Sequence, residues 1–242
     1  MTGGPGHFAD WYVDRGPIVG DARDVLQSSR GGRRLPRRLV RLYAGLVLYG
    51  VSMALIVRSA LGNMPWDVLH QGLADRLGWS IGTAAIVVGV LVLLGWIPLR
   101  QRPGLGTVSN VVVLGLALDA TLAVVAAPSS LPVRVAFLAG GILLNAVATA
   151  AYIGVHLGPG PRDGLMTGLV RRTGRSARLV RTSIEVAVVA VGWLLGGTLG
   201  VGTVLYAVAI GPLVQLLLPR LSVGVTPAAR PTPPAAAPLP RG

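Results

Sequence analysis

Two stretches decide the fold: Leu61-Gly-Asn-Met-Pro-Trp-Asp-Val-Leu-His-Gln-Gly-Leu73 and Leu157-Gly-Pro-Gly-Pro-Arg-Asp-Gly-Leu-Met-Thr-Gly-Leu169. They align without a gap at an offset of 96 residues. Pro65 falls on Pro161, Asp67 on Asp163, Gly72 on Gly168, Gly78 on Gly174 and Ser80 on Ser176. In the same register Gly104-Leu-Gly-Thr-Val matches Gly200-Val-Gly-Thr-Val, and Gly115 matches Gly211. Upstream, Arg38, Gly45 and Ala54 fall on Arg134, Gly141 and Ala150. Leu and Val coincide by chance in apolar sequence. The P-x-D and G-x-G-T-V matches in one register do not, so the chain reads as a duplication.

Around these motifs the sequence is strongly apolar. Of 242 residues, 52% are hydrophobic and 13% charged, with a mean hydropathy of +0.65. Soluble domains carry about 25% charged residues. Six runs approach the ~20 apolar residues that a spanning helix needs: Leu39–Val57, Ile81–Leu99, Val108–Ala127, Val135–Val155, Thr182–Leu199 and Val201–Leu218. The expectation is an all-α polytopic membrane protein with six transmembrane helices. Three spans per copy is an odd number, so the two copies would enter the membrane from opposite sides, as inverted three-helix repeats. Residues 38–127 and 131–220 are the expected repeats. Residues 1–37 (basic) and 221–242 (Pro/Ala-rich) read as disordered tails. The first apolar run has full spanning length, which suits a signal-anchor rather than a cleaved leader.

The formal charge of +13 comes from 22 basic residues, every one of them Arg. With so few charges overall, a nucleic-acid partner is not expected. Arg placement suits topology instead: with both termini cytoplasmic, only Arg58, Arg76 and Arg134 fall outside. Three His and no Cys give no metal-site pattern, and no cofactor or metal is expected.

Each repeated motif has a physical reading. Pro65–Gly78 and Pro161–Gly174 describe short helices: Pro opens them, Asp complements the dipole in the first turn and Gly ends them. At about 20 Å they are too short to cross, so they are interfacial or re-entrant. Asp67 and Asp163 are either helix caps or contacts in a pathway. The turns Gly104-Leu-Gly106-Thr107 and Gly200-Val-Gly202-Thr203 read as tight turns with positive φ at glycine and a capping Thr. Under inversion the Pro65 helix and the Gly200 turn share one face, and the Pro161 helix and the Gly104 turn the other, like two gates. Ionisable groups inside spans are candidates for function. Asp119 is placed near the midplane of the third span, with Gln215 as its repeat partner. Glu185 lies four residues after Arg181, so the two can pair on one helix face. Asn110 aligns with Tyr206, and Tyr49 with Asn145, which suggests polar lining at equivalent depths.

The strings Asn63-Met-Pro-Trp-Asp-Val-Leu-His-Gln-Gly-Leu, Gly158-Pro-Gly-Pro-Arg-Asp-Gly-Leu-Met and Arg181-Thr-Ser-Ile-Glu resemble the YczE/YyaS/YitT group of bacterial integral membrane proteins, the YczE branch most closely. The resemblance spans roughly residues 38–220. It implies a cytoplasmic-membrane protein without a firmly assigned activity, often described with about five spans; YczE-like members have been linked to antibiotic production. It brings no catalytic residues.

Two functions remain open on these grounds. One is a small permease for a small solute or ion, working alone or as a homodimer in the lipid bilayer. The other is a non-transporting scaffold or assembly factor for a biosynthetic or signalling partner. No H-E-x-x-H or G-x-S-x-G motif is present, so an enzyme is not expected.

Overall fold

A computed structural model describes residues 35–155 and 157–221. The two tails lie outside the described residues, except that Leu35–Arg37 already belong to the first helix and Leu221 to the last. Among the described residues eight helices follow one another: α1 Leu35–Ser59, α2 Pro65–Leu77, α3 Ile81–Trp96, α4 Leu105–Val124, α5 Leu131–Ile153, α6 Pro161–Thr173, α7 Ala177–Leu194 and α8 Val201–Leu221. No strand occurs among the described residues. The starts of α1 to α4 recur 96 residues later as the starts of α5 to α8.

The local causes of these boundaries recur too. Pro65 and Pro161 stand at the first turn of α2 and α6, where a missing N–H is harmless. Gly78 and Gly174 end the same helices in left-handed conformation, at φ 68° and 65°. Ser80 and Ser176 cap α3 and α7, their hydroxyls accepting from Thr83 N–H and Leu179 N–H.

Four helices are long and apolar enough to cross a membrane: α1, α4, α5 and α8. The pair α2–α3, bent by 113° at its break, makes a fifth if counted as one span. The expected six therefore do not all stand alone. Helix α3 has only 16 residues, about 24 Å. Helix α7 carries Arg178, Arg181 and Glu185 within its 18 residues.

Helix α1 runs along α5 at the centre, with α4 against α1 and α8 against α5. The short helices cross over: α2 packs on α7, and α6 on α3. Between apolar helices in lipid the drive is close packing rather than removal from water. Accordingly Gly45 sits on the Tyr152 backbone, Gly50 on Leu114 O and Gly141 on Ile56. Large apolar side chains such as Leu91, Leu116, Leu143 and Val208 cover the outside.

The glycine turns differ from expectation in one respect. Gly104, Gly106, Gly200 and Gly202 do not have positive φ; that conformation falls on Gly62 and Gly158, at φ 121° and 128°. The turn glycines are needed for close approach. Gly106 N–H donates to Leu157 O at 2.9 Å, and Gly202 N–H to Leu61 O at 2.8 Å. A Cβ on Gly104 would lie 2.6 Å from Leu157 O, and one on Gly200 would collide with Leu61 O. Thr107 and Thr203 complete the turns, each hydroxyl accepting from the glycine N–H three residues earlier, at 3.2 and 3.3 Å. So the Gly200 turn docks beside the start of α2, and the Gly104 turn beside the start of α6.

Gly200→Ala should therefore lower thermal stability in detergent by about 2 kcal/mol or more. Gly140→Ala, whose added Cβ would meet nothing within 4 Å, should leave it unchanged or raise it. Fluorescence-detected melting of the two variants compares them directly; equal melting temperatures would remove the close-approach argument.

Candidate functional site

The short helices start close to the middle of the molecule and bring their second residues together. Trp66 and Arg162 occupy the same position in the two repeats, and the Arg162 guanidinium lies 4.8 Å from the centre of the Trp66 ring. Cation–π contact of this kind is favourable when the pair is shielded from water. A cavity of about 140 Å³ opens beside this pair. Its polar lining comes from both repeats: Tyr49 and Asn110 from the first, and Tyr152, Arg162, Asp163, Arg181, Glu185 and Tyr206 from the second. Met64, Leu114, Ile153, Met166, Ile184, Ile210 and Val214 supply the apolar wall. A smaller cavity of about 30 Å³ lies on the other side of Trp66 and Arg162, against α3 and His70.

The charged groups of the larger cavity are held in different ways. Arg181 Nε donates to Glu185 Oε1 at 2.9 Å, the pair one turn apart on α7. The Asp163 carboxylate, at the third position of α6, is met by the Gly160 N–H and the Tyr152 hydroxyl. This satisfies one of the free N–H groups at the helix start. Arg162 has the Trp66 face but neither a hydrogen bond nor an ion pair with any described residue.

Behind the cavity a buried polar chain joins α8, α5 and α1. Tyr206 Oη donates to Asn145 Oδ1 at 2.9 Å, Asn145 Nδ2 to Ser52 Oγ at 2.8 Å, and Ser52 Oγ to Tyr49 O at 2.6 Å. Asn145 and Ser52 are fully buried.

The candidate residues therefore divide. Asp163, Arg181 and Glu185 meet at the cavity. Asp67 does not line it: it is fully buried on α2, with Oδ1 3.0 Å from His70 Nδ1 and Oδ2 without a hydrogen-bond partner among the described residues. Asp119 lies away from the cavity. It is 14 residues into α4, near the helix end, and accepts from Gly82 N–H at 2.8 Å and Ser80 Oγ at 2.5 Å. Its carboxylate caps α3, a structural task for a group expected near the midplane. Gln215 is on the exposed face of α8. Pro65, Pro161 and the two glycine turns serve as boundaries and docking points. Trp66, Arg162 and Tyr152 were not singled out from sequence. The signal available for the first two was their alignment with each other beside the repeated Pro.

A family of unknown function, DUF6198, matches residues 36–219. An uncharacterized protein of Haemophilus influenzae is 45% identical over 177 residues, covering 73% of this chain and 81% of the relative. The uncharacterized membrane protein YczE of Bacillus subtilis is 32% identical over 182 residues, covering 74% and 84%. The uncharacterized protein YyaS of the same organism is 25% identical over 179 residues, covering 72% and 89%. No solved structure matches the chain at a significant level. With four or five apolar helices of spanning character, the chain is a multi-pass membrane protein.

The polar chain sets a testable cost. Asn145→Ala leaves Ser52 Oγ and Tyr206 Oη short of a partner and should destabilise the protein by about 1–3 kcal/mol. Gln215→Leu, on the exposed face, should be neutral. Thermal melts in detergent distinguish them; a neutral Asn145→Ala would mean the chain is not a structural tie.

Proposed function

This chain belongs to DUF6198 and to the family of its relatives YczE and YyaS, and we propose that it is a small permease moving a small solute or ion across the bacterial cytoplasmic membrane. The observation that carries this reading is the cavity of about 140 Å³, built from both repeats and holding two arginines and two carboxylates within a bundle of apolar helices. Charged groups are expensive in such surroundings and are retained where a polar solute must be met. Sites of this kind in secondary transporters lie between two copies of a repeat, near broken or short helices.

In this reading α1, α3, α4, α5, α7 and α8 make six crossings, as two inverted groups of three. The helices α2 and α6 re-enter from opposite faces, and both termini are cytoplasmic. A homodimer is compatible with the broad apolar exterior. Arg178, Arg181 and Glu185 together keep α7 from qualifying as a span by composition, yet the charges of Arg181 and Glu185 are paired and face the cavity.

Topology is checked by cysteine labelling in intact cells. Ser130→Cys should react with an impermeant reagent from outside, and Arg175→Cys only after the cells are opened. The reverse pattern would place the termini outside.

Transport is checked in proteoliposomes with a labelled panel of small carboxylates, amino acids, amines and neutral solutes. At least one should enter through the protein. Asp163→Asn and Arg181→Gln should each cut its flux by about tenfold or more, the loss of one charge-assisted hydrogen bond. Asp119→Asn, at the α3 cap, should lower melting temperature and leave flux per folded molecule intact. No flux for any member of the panel, together with a stable crosslinked partner on the 171–181 loop, would favour a scaffold instead.

A further inference from the structure

We infer that the cavity takes a small carboxylate with an apolar body, its carboxylate forked on Arg162. The inference names the solute for the site proposed above and rests on reading that cavity as the place where the solute sits.

Most polar groups of the cavity wall are already satisfied within the protein. Arg181 is answered by Glu185 at 2.9 Å. Asp163 has the Gly160 N–H and the Tyr152 hydroxyl. Tyr206 donates to Asn145. Arg162 alone among the four charged lining residues has no polar partner among the described residues, though it lies half-buried in the wall. A guanidinium carries five N–H donors in a planar fork and no acceptor. What completes it is an acceptor with two oxygens in one plane, which a carboxylate supplies bidentately. An ammonium or amide nitrogen would oppose it.

Trp66 makes the geometry specific. The guanidinium carbon lies over the indole, 4.8 Å from the ring centre, so an anion is left to the N–H groups that the ring does not shield. The contact also restrains the side chain before the ligand arrives, which reduces the ordering that binding must impose.

The rest of the lining limits the remainder of the ligand. Leu114, Ile153, Ile184, Ile210 and Val214 with the ring of Tyr49 favour hydrocarbon rather than a second charge. Glu185 and Asp163 stand in the same wall and disfavour a dianion. A dry cavity of about 150 Å³ in another protein holds one benzene. The present 140 Å³ therefore suits a monocarboxylate of benzoate or isovalerate size.

The test uses the full-length protein in detergent and three ligands of one shape: benzoate, benzamide and benzylamine. Calorimetric titration should show benzoate binding about tenfold or more tighter than benzamide, with benzylamine weakest. Isovalerate should compete with benzoate. Arg162→Gln should bring benzoate down to the benzamide level, and Arg162→Lys should restore part of the difference because it keeps charge without the fork. The comparison on the unsubstituted protein decides the matter even if the variants fail to fold. Equal affinity for benzoate and benzamide, preference for benzylamine, absence of benzoate binding up to its solubility in the buffer, or full benzoate affinity in folded Arg162→Gln would each overturn it. Carboxylate binding without flux would sink the permease reading and leave this one standing. Flux of a neutral or cationic solute with no carboxylate binding would do the opposite.

Discussion

A reciprocal couple of backbone hydrogen bonds ties each repeat to the other, Gly106 N–H to Leu157 O and Gly202 N–H to Leu61 O, with Asn63 N–H to Thr198 O beside the second. Helix ends in an apolar bundle carry N–H and C=O groups that neither the helix nor lipid can satisfy. Here the start of α4 finds its acceptor in the loop before α6, and the start of α8 in the loop before α2. The long helices are closed in the same reciprocal manner. Arg38 donates to Val155 O at the end of α5, and Arg134 donates to Ser59 O and Ala60 O at the end of α1. Each repeat thus completes the other's termini, and neither is satisfied alone. Because α2 and α6 begin only a few residues after these contacts, the same bonds place Trp66 and Arg162 face to face.

Exchange of bulk follows the same rule. Trp96 packs on Gly164 and donates its Nε1–H to Pro161 O at 3.0 Å. At the equivalent contact Gly192 faces Val68. A large residue on α3 meets a small one on α6, while a small residue on α7 meets a larger one on α2. Both contacts bring helices close together, by different means, and so the duplicated backbone tolerates divergent side chains.

This explains what could be read from sequence and what could not. Helix boundaries depend on residues within a few positions, such as Pro65, Ser80 and Gly78, and their repetition was visible directly. The task of Asp119 was not, because its partners Ser80 and Gly82 are brought to it by the α3–α4 packing, and depth counted along one run says nothing of that. Most positions identical in both copies proved to be boundaries and docking points, Asp163 in the cavity wall being an exception. Pro65 and Pro161, Gly104 and Gly200, and Thr107 and Thr203 all belong there. Much of the cavity wall comes from positions where the copies differ: Trp66 against Arg162, Asn110 against Tyr206, Tyr49 against Asn145. Conserved identity within a repeat records the scaffold, and divergence marks where the two halves must present unlike groups to one space. Arg162 stands beside the identical Asp and carries no sequence signal of its own beyond its alignment with Trp66.

The same divergence accounts for where the cavity opens. In the first repeat α3 lies tightly on α4: Gly82 sits on Gly115 O, Gly89 against Val111, and Asp119 caps the helix from across the contact. The equivalents on α7 are Arg178 for Gly82, Arg181 for Ala85 and Glu185 for Gly89. An arginine or glutamate cannot enter the space that a glycine leaves, and Gln215 in place of Asp119 faces outward. Helix α7 accordingly makes no comparable packing on α8. The space between them is the cavity, with Arg181, Ile184 and Glu185 on one wall and Tyr206, Ile210 and Val214 on the other. Closing that space as α3 and α4 are closed would require desolvating the Arg181–Glu185 pair against an apolar helix, which is unfavourable unless another group meets it. A pair of charges at the positions that Ala85 and Gly89 hold in the first copy is therefore what turns one half of a symmetric bundle into a wall and the other into a site.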